Sequence, residues 1–197
     1  MDERETRGTR PVDTAGDWLL RAAHEAERLD LAVHATIART PTPSLDRALS
    51  GLSQAANYSR LSIASAAVLW LAGGCRGRTA ATMGLASVAV TSTVLNLGVK
   101  TAVRRGRPDR VTEDVPRARH VPMPSSTAFP SGHSAAAFAF ATGVGRVLPI
   151  AGFPLRGLAA LVAYSRVHTG VHYPGDVVAG ALLGSALAQA TTYVLDR

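Results

Sequence analysis

The chain has 197 residues, room for one domain or one small helical bundle and not for two large globular units. Its 21 Lys and Arg against 14 Asp and Glu leave a net charge of +7, which suits an anionic lipid surface or a phosphate-bearing ligand. Aromatics are only 5% and no zinc-finger or RNA-binding spacing occurs, so no nucleic-acid partner is expected; the single cysteine, Cys75, excludes an internal disulfide and a thiolate metal cluster.

Residues 1–16 are polar and charged, with no apolar stretch of signal-peptide type, and are expected to form a disordered tail. Residues 17–57 read as an amphipathic interfacial region. From Trp18 to Ile37, Leu19, Leu20, Ala23, Ala26, Leu29, Val33 and Ile37 recur at roughly helical spacing, while Arg21, His24, Glu25, Glu27, Arg28 and Asp30 occupy much of the other surface. That many charges suit a membrane interface better than its interior. Thr40-Pro-Thr-Pro breaks this helix, and Leu45 to Asn57 is a second short amphipathic segment.

Residues 58–197 carry the long apolar runs. Leu61–Cys75 is apolar for 15 residues, Thr79–Val99 has 21 without a charge and Val177–Leu195 has 19. A helix needs about 20 such residues to cross a hydrocarbon layer of about 30 Å. Gly73–Arg78 reads as a tight turn, and Lys100–Pro130 as a polar connection rich in Arg and Pro. Ser134–Gly145 resumes an apolar helix that continues beyond Arg146 to about Ala151. Phe153-Pro154 and Arg156-Gly157 then turn the chain, the next helix ends near Ser165–Gly170, and the last starts close to Asp176. The expected fold is all-α, an integral membrane bundle of about five spanning helices plus an N-terminal amphipathic helix.

Three polar clusters sit at the ends of these helices. In the first, Lys100 and Arg107 can place an ammonium and a planar guanidinium on one phosphate, or serve as a snorkelling anchor and a basic loop. In the second, Ser131, Gly132 and His133 stand at a helix N-terminus, where unpaired N–H groups favour an anion; Ser131 also reads as a helix cap. The third runs from Ser165-Arg166 through His168 and His172 to Asp176. A carboxylate four residues beyond His172 can hold one imidazole nitrogen and leave the other free to attack, or the two can be a satisfied capped pair. His168 reads as a substrate contact or a structural residue. The carboxylates Asp109, Glu113 and Asp114 form no convincing metal cage, so no metal and no cofactor are expected.

Taken together the clusters read Lys-x6-Arg-Pro, Pro-Ser-Gly-His and Ser-Arg-x5-His-x3-Asp, in that order. This pattern resembles the type 2 phosphatidic acid phosphatase superfamily, which also contains vanadium haloperoxidases and bacterial acid phosphatases. The likeness covers about Thr79 to Leu195; set against the six-span lipid phosphatases of that superfamily, the usual first transmembrane helix is expected to be missing or replaced by the charged amphipathic helix. The resemblance implies catalysis by His172 as nucleophile, His133 as general acid and base, and Asp176 as orienter of His172. It also implies phosphate binding by Lys100, Arg107, Ser131, Gly132 and Arg166. The implied substrate is a membrane lipid phosphate, with a polyprenyl phosphate or diphosphate of bacterial envelope synthesis ahead of phosphatidylglycerophosphate or phosphatidate. A non-catalytic lipid-phosphate binder is the contrasting possibility. The implied location is the bacterial inner membrane, multi-pass. Arg76, Arg78, Arg146, Arg156 and Arg197 fall on the side opposite the motifs, leaving 16 of the 21 basic residues on the motif side, and the positive-inside tendency points that side to the cytoplasm.

Overall fold

The computed structural model describes residues 15–197. The expected tail, 1–16, therefore lies outside the described residues except for its last two, which open the first helix. Helix α1 (Ala15–Arg39) is the amphipathic segment, three residues longer at its start than the apolar spacing implies. Helix α2 (Pro43–Ala55) begins at the second proline of the Thr40-Pro-Thr-Pro stretch that follows α1, because a proline at the first helical position lacks only an N–H that would be unpaired anyway. A single 3-10 turn, Asn57–Ser59, leads into α3 (Arg60–Ala72), with Tyr58 and Ser59 both in left-handed backbone conformation.

The turn expected over Gly73–Arg78 is shorter than that. Only Gly73 interrupts, and α4 starts at Gly74 and runs to Val94, then continues through a π-helical turn, Leu95–Val99, to Ala102. The connection 103–131 is irregular apart from one 3-10 turn at Arg117–Arg119. Helix α5 (Gly132–Val147) ends at Leu148, before the Ala151 limit that hydrophobicity suggests. Helix α6 (Pro149–His168) passes straight through Pro154, where the sequence predicts a break. The carbonyl that loses its helical donor there is that of Ile150, whose residue is 92% exposed at the bundle end, so leaving it without an intrahelical bond costs little. Helix α7 (Pro174–Leu195) closes the chain.

Helices α3 to α7 alternate in direction. Helix α5 is the centre, packed on α4, α6 and α7, with α3 laid against α4. Buried alanines dominate its surroundings: Ala80, Ala81, Ala136 and Ala139, together with Phe140 and Val144, fill the middle of the bundle. Close approach depends on glycine where α7 crosses α5. A Cβ on Gly184 would stand 2.2 Å from Ala135 O, and one on Gly180 2.5 Å from Ser131 O. Such small-residue seams are how helices associate where lipid supplies no hydrophobic drive. Large apolar side chains instead face outward, among them Val68, Leu71, Leu97, Ile150, Phe153 and Leu182. Among the described residues two helices, Gly74–Ala102 and Pro174–Leu195, are long and apolar enough to cross a membrane. Helices α1 and α2 lie at the end of the bundle where α3 begins.

Candidate active site

At that same end α4 and α6 finish while α5 and α7 start, which brings the three polar clusters together. His172, in the loop between α6 and α7, is 2% exposed. Its Nδ1 lies 3.4 Å from Asp176 Oδ2, and its Nε2 lies 3.2 Å from Arg107 Nη1. A guanidinium can only donate, so this contact assigns the lone pair to Nε2 and the proton to Nδ1. Burial pushes the His172 pKa down to about 4; the hydrogen bond to Asp176 opposes this, and the charges of Arg107 and Arg166 reinforce it. The ring is therefore neutral at pH 7, with an available lone pair.

Asp176 is fully buried in the first turn of α7, where its carboxylate also caps the helix by accepting the Tyr173 N–H through Oδ2 at 2.9 Å. Its other oxygen, Oδ1, receives Arg105 Nη1 at 3.0 Å. Arg107 ties the irregular connection to the His172 loop, donating to Ser126 O at 2.9 Å and Val171 O at 2.6 Å. Burial, with Arg110 adding to it, holds its guanidinium below the ordinary value, and it remains charged.

Lys100 follows the π-helical turn, and its Nζ donates to Asn96 Oδ1, within that turn, at 3.1 Å. π-turns recur at functional sites because the extra residue rotates the next helical turn relative to the one before it. A Cβ on Gly132 would come within 3.3 Å of Lys100 Nζ, so glycine there lets the ammonium close on the start of α5. His133 places Nε2 2.9 Å from Asn57 Oδ1, on the turn before α3. Lys100, Arg107, Gly132, His133 and His172 all line one cavity of about 160 Å³, walled further by Tyr58 and Asn96. A cavity of about 150 Å³ can hold a benzene-sized molecule, so this one has room for a phosphoryl group.

Three expected site residues stand elsewhere. Ser131 is fully buried behind the cavity: its Oγ caps α5, 3.4 Å from Ser134 N and 3.0 Å from Ser134 Oγ, and its N–H donates to Asp176 O. Arg166 is 1% exposed and does not line the cavity; Nη1 binds Ser53 O at 2.9 Å and Ser53 Oγ at 2.7 Å, while Nε is buried without a partner among the described residues. His168, expected as a possible substrate contact, is buried and bonded through Nε2 to Asp46 Oδ1 at 3.0 Å, drawn off by the carboxylate that also pairs with Arg119.

Asn57, Asn96, Arg105 and Asp30 are not among the residues that the sequence places here. By sequence Asp30 belongs to a solvated face, yet it is 7% exposed and binds Arg105 Nη2 at 2.7 Å. Nearby, Tyr173 donates its hydroxyl to Glu113 Oε1 at 3.0 Å, and Glu113 also pairs with His34 of α1. Burial, then Glu113, pushes the Tyr173 phenol up to about 12. Position within the first motif is the only sequence signal for Arg105; a lone Asn in a turn or an apolar helix offers none.

Over 90 residues the chain is 40% identical to decaprenylphosphoryl-5-phosphoribose phosphatase of Mycobacterium tuberculosis (strain CDC 1551 / Oshkosh), covering 45% of this chain and 47% of that protein. Over 70 residues it is 43% identical to undecaprenyl-diphosphatase of Sulfolobus acidocaldarius, 32% of each. The chain thus spans about half the length, or less, of the curated relatives it matches. Among solved structures, Aquifex aeolicus LpxE superposes with a TM-score of 0.68 at 26% identity, covering 84% of this chain and 95% of that one. The fold is also that of a transmembrane PAP2 type phosphatidylglycerolphosphate phosphatase from Bacillus subtilis, with a TM-score of 0.66 at 24% identity over 91% and 92% of the two chains. The sequence pattern of the PAP2 superfamily matches residues 78–197, more than half of the chain and all three clusters, so the protein belongs to the PAP2 superfamily.

Proposed function

We propose that this protein hydrolyses a phosphate ester or diphosphate on a membrane polyprenyl lipid, through a phosphohistidine and without a metal. The observation that supports this most is the single cavity lined by two imidazoles, an ammonium and a guanidinium. His172 Nε2 attacks phosphorus, forming the N–P bond as the P–O bond to the lipid breaks. The lipid oxygen leaves with that electron pair and takes a proton from His133, whose imidazole becomes charged together with the binding of the anionic phosphate beside it. Asp176 faces the Nδ1–H of the imidazole as it turns cationic. Water then attacks phosphorus, giving a proton to His133, and the N–P electron pair returns to Nε2. Arriving phosphoryl oxygens take over the Arg107 Nη1 donor, which frees the lone pair, and Lys100 balances the remaining charge. The unpaired, buried Nε of Arg166 supports a part for that side chain behind the bound anion, where a further acceptor would satisfy it.

The polyprenyl assignment rests on the two relatives whose names carry such lipids. Phosphatidylglycerophosphate and phosphatidate are the alternative substrates. The protein is read as a multi-pass membrane protein with five crossings, α3 to α7, and with its cavity on the cytoplasmic side. Purified protein in detergent, offered a decaprenylphosphoryl-phosphoribose, a polyprenyl diphosphate, phosphatidylglycerophosphate and phosphatidate, should release phosphate fastest from one of the two polyprenyl lipids, with or without chelator. His172→Ala should abolish turnover. Full activity in that variant removes the nucleophile, and preference for a glycerophospholipid removes the polyprenyl assignment.

A further inference from the structure

Helix α1 reaches the centre through one ion pair that the mechanism above does not use. Arg105 bridges two buried carboxylates, Asp176 Oδ1 at 3.0 Å and Asp30 Oδ2 at 2.7 Å. Asp30 Oδ1 also accepts the N–H of Gly175, the residue before Asp176, and a Cβ at Gly175 would lie 2.9 Å from Asp30 Oδ2. The guanidinium rests over the Tyr173 ring, 4.6 Å from its centroid. Asp176 is thus held from both sides of its own backbone.

The charges decide what such a clamp can do. Arg105 alone would fix Asp176 but would also neutralise it, just where a negative charge must meet the His172 imidazole as it turns positive. With Asp30 included, the triplet carries one net negative charge, the same as a free Asp176. Asp176 is fully buried and Asp30 nearly so, while Arg105 keeps a quarter of its side chain exposed, so that difference is screened more than in a closed interior but remains larger than in water. We propose that Asp30 is a positioning residue of this active centre: it neutralises Arg105, so that Arg105 orients Asp176 without discharging it. The amphipathic helix is thereby part of the active centre and not only a surface element. This inference rests on the reading of His172 as nucleophile.

A double-mutant cycle on the full-length protein in detergent tests it, using the preferred lipid of the substrate panel. Asp30→Asn, which keeps an oxygen for the Gly175 N–H, should lower kcat about tenfold with little change in KM. Asp30→Glu should restore most of the loss. Asp30→Asn/Arg105→Gln, with the net charge restored, should return to within about threefold of wild type. A tether that merely holds α1 predicts the opposite, a double variant at least as impaired as either single one, and that result would overturn the proposal. If Asp30→Asn does not fold, Arg105→Gln is compared with the double variant: equal or higher kcat in the double supports charge compensation, and lower kcat rejects it. The nucleophile reading is separated by quenching wild type and His172→Gln in alkali with phosphorus-labelled substrate. Turnover without any alkali-stable, acid-labile phosphoprotein in wild type defeats that reading, while the cycle still reports on Asp30.

Discussion

His172 owes its readiness to burial, and the same burial couples it to stability. An exposed histidine in the unfolded chain titrates near 6.5, roughly, whereas the folded ring is depressed to about 4. The unfolded state therefore takes up a proton first as the pH falls. The contribution of the neutral ring is fully present above about 6.5 and is lost progressively between there and 4. Thermal unfolding in detergent should show a fall in Tm over that window which is shallower in His172→Gln; identical slopes would mean that His172 does not titrate this way. At Gly132 the outcome is different in kind. A methyl there stands 3.3 Å from Lys100 Nζ, the mobile tip of a long side chain, so Gly132→Ala should fold with Tm almost unchanged. The displaced ammonium should show as a raised KM for substrate and weaker inhibition by vanadate. That Lys100, Arg107, His133 and His172 line one cavity is legible in the sequence through the family motifs they resemble, since each cluster alone also fits an anchor, a cap or a satisfied pair. Asn57 and Asn96 are not, since an amide that orients a neighbour obeys no period.

At the scale of elements, Arg119 shows what keeps the interfacial region in place. It is fully buried, and its guanidinium donates to Asp46 Oδ1 at 2.8 Å, Ile37 O at 2.9 Å, Thr40 O at 2.6 Å and Thr42 Oγ1 at 3.0 Å. These include the unpaired carbonyls at the end of α1 and the start of the α1–α2 turn, so one side chain satisfies a helix terminus that would otherwise be buried bare. Burial alone would raise the Asp46 pKa, but Thr42 and Arg119 hold it below the carboxylate range. Arg119→Met strands Asp46 and those carbonyls, and should cost about 3–5 kcal/mol, read as a lower Tm and faster proteolysis between α1 and α2. A Tm within error of wild type would show the network to be incidental. Sequence does not separate this arginine from its neighbours, because Arg117 and Arg119 look alike in a basic loop. The start of α4 is hidden for a related reason: Arg76 and Arg78 read as turn residues, yet α4 includes both, and Arg76 reaches Val147 O at 3.2 Å. Where α7 crosses α5, Gly184→Val has no such flexible neighbour, only the Ala135 carbonyl, and should prevent assembly of the bundle. Monodisperse, active Gly184→Val protein would contradict that crossing.

Across the whole molecule, polarity is divided by end and by depth. Imidazoles, carboxylates and guanidinia are buried at one end, alanine and glycine fill the middle, and Ile150, Phe153, Leu182 and their like cover the outside. Hydrophobic runs make the number of helices readable in advance; Arg146 and Pro154 blur α5 and α6 because a residue at a bundle end tolerates what a midpoint does not. Which end faces the cytoplasm is open to direct measurement through the lone cysteine. Cys75 is exposed in the first turn of α4, at the end away from the cavity. If the cavity faces inward, as the positive-inside tendency leads one to expect, Cys75 lies on the outer side of the cell membrane. A membrane-impermeant maleimide added to intact cells, or to spheroplasts where an outer layer blocks access, should then label Cys75, and Cys75→Ser should abolish the signal. A cysteine introduced at exposed Arg104, at the same end of the bundle as the cavity, in the Cys75→Ser background should label only after the membrane is opened. The reverse pair of results would turn the protein over, assigning the surplus of arginine to phosphate binding and not to topology. Labelling of both positions from the same side would defeat the five-crossing arrangement itself, because α4 would no longer separate them.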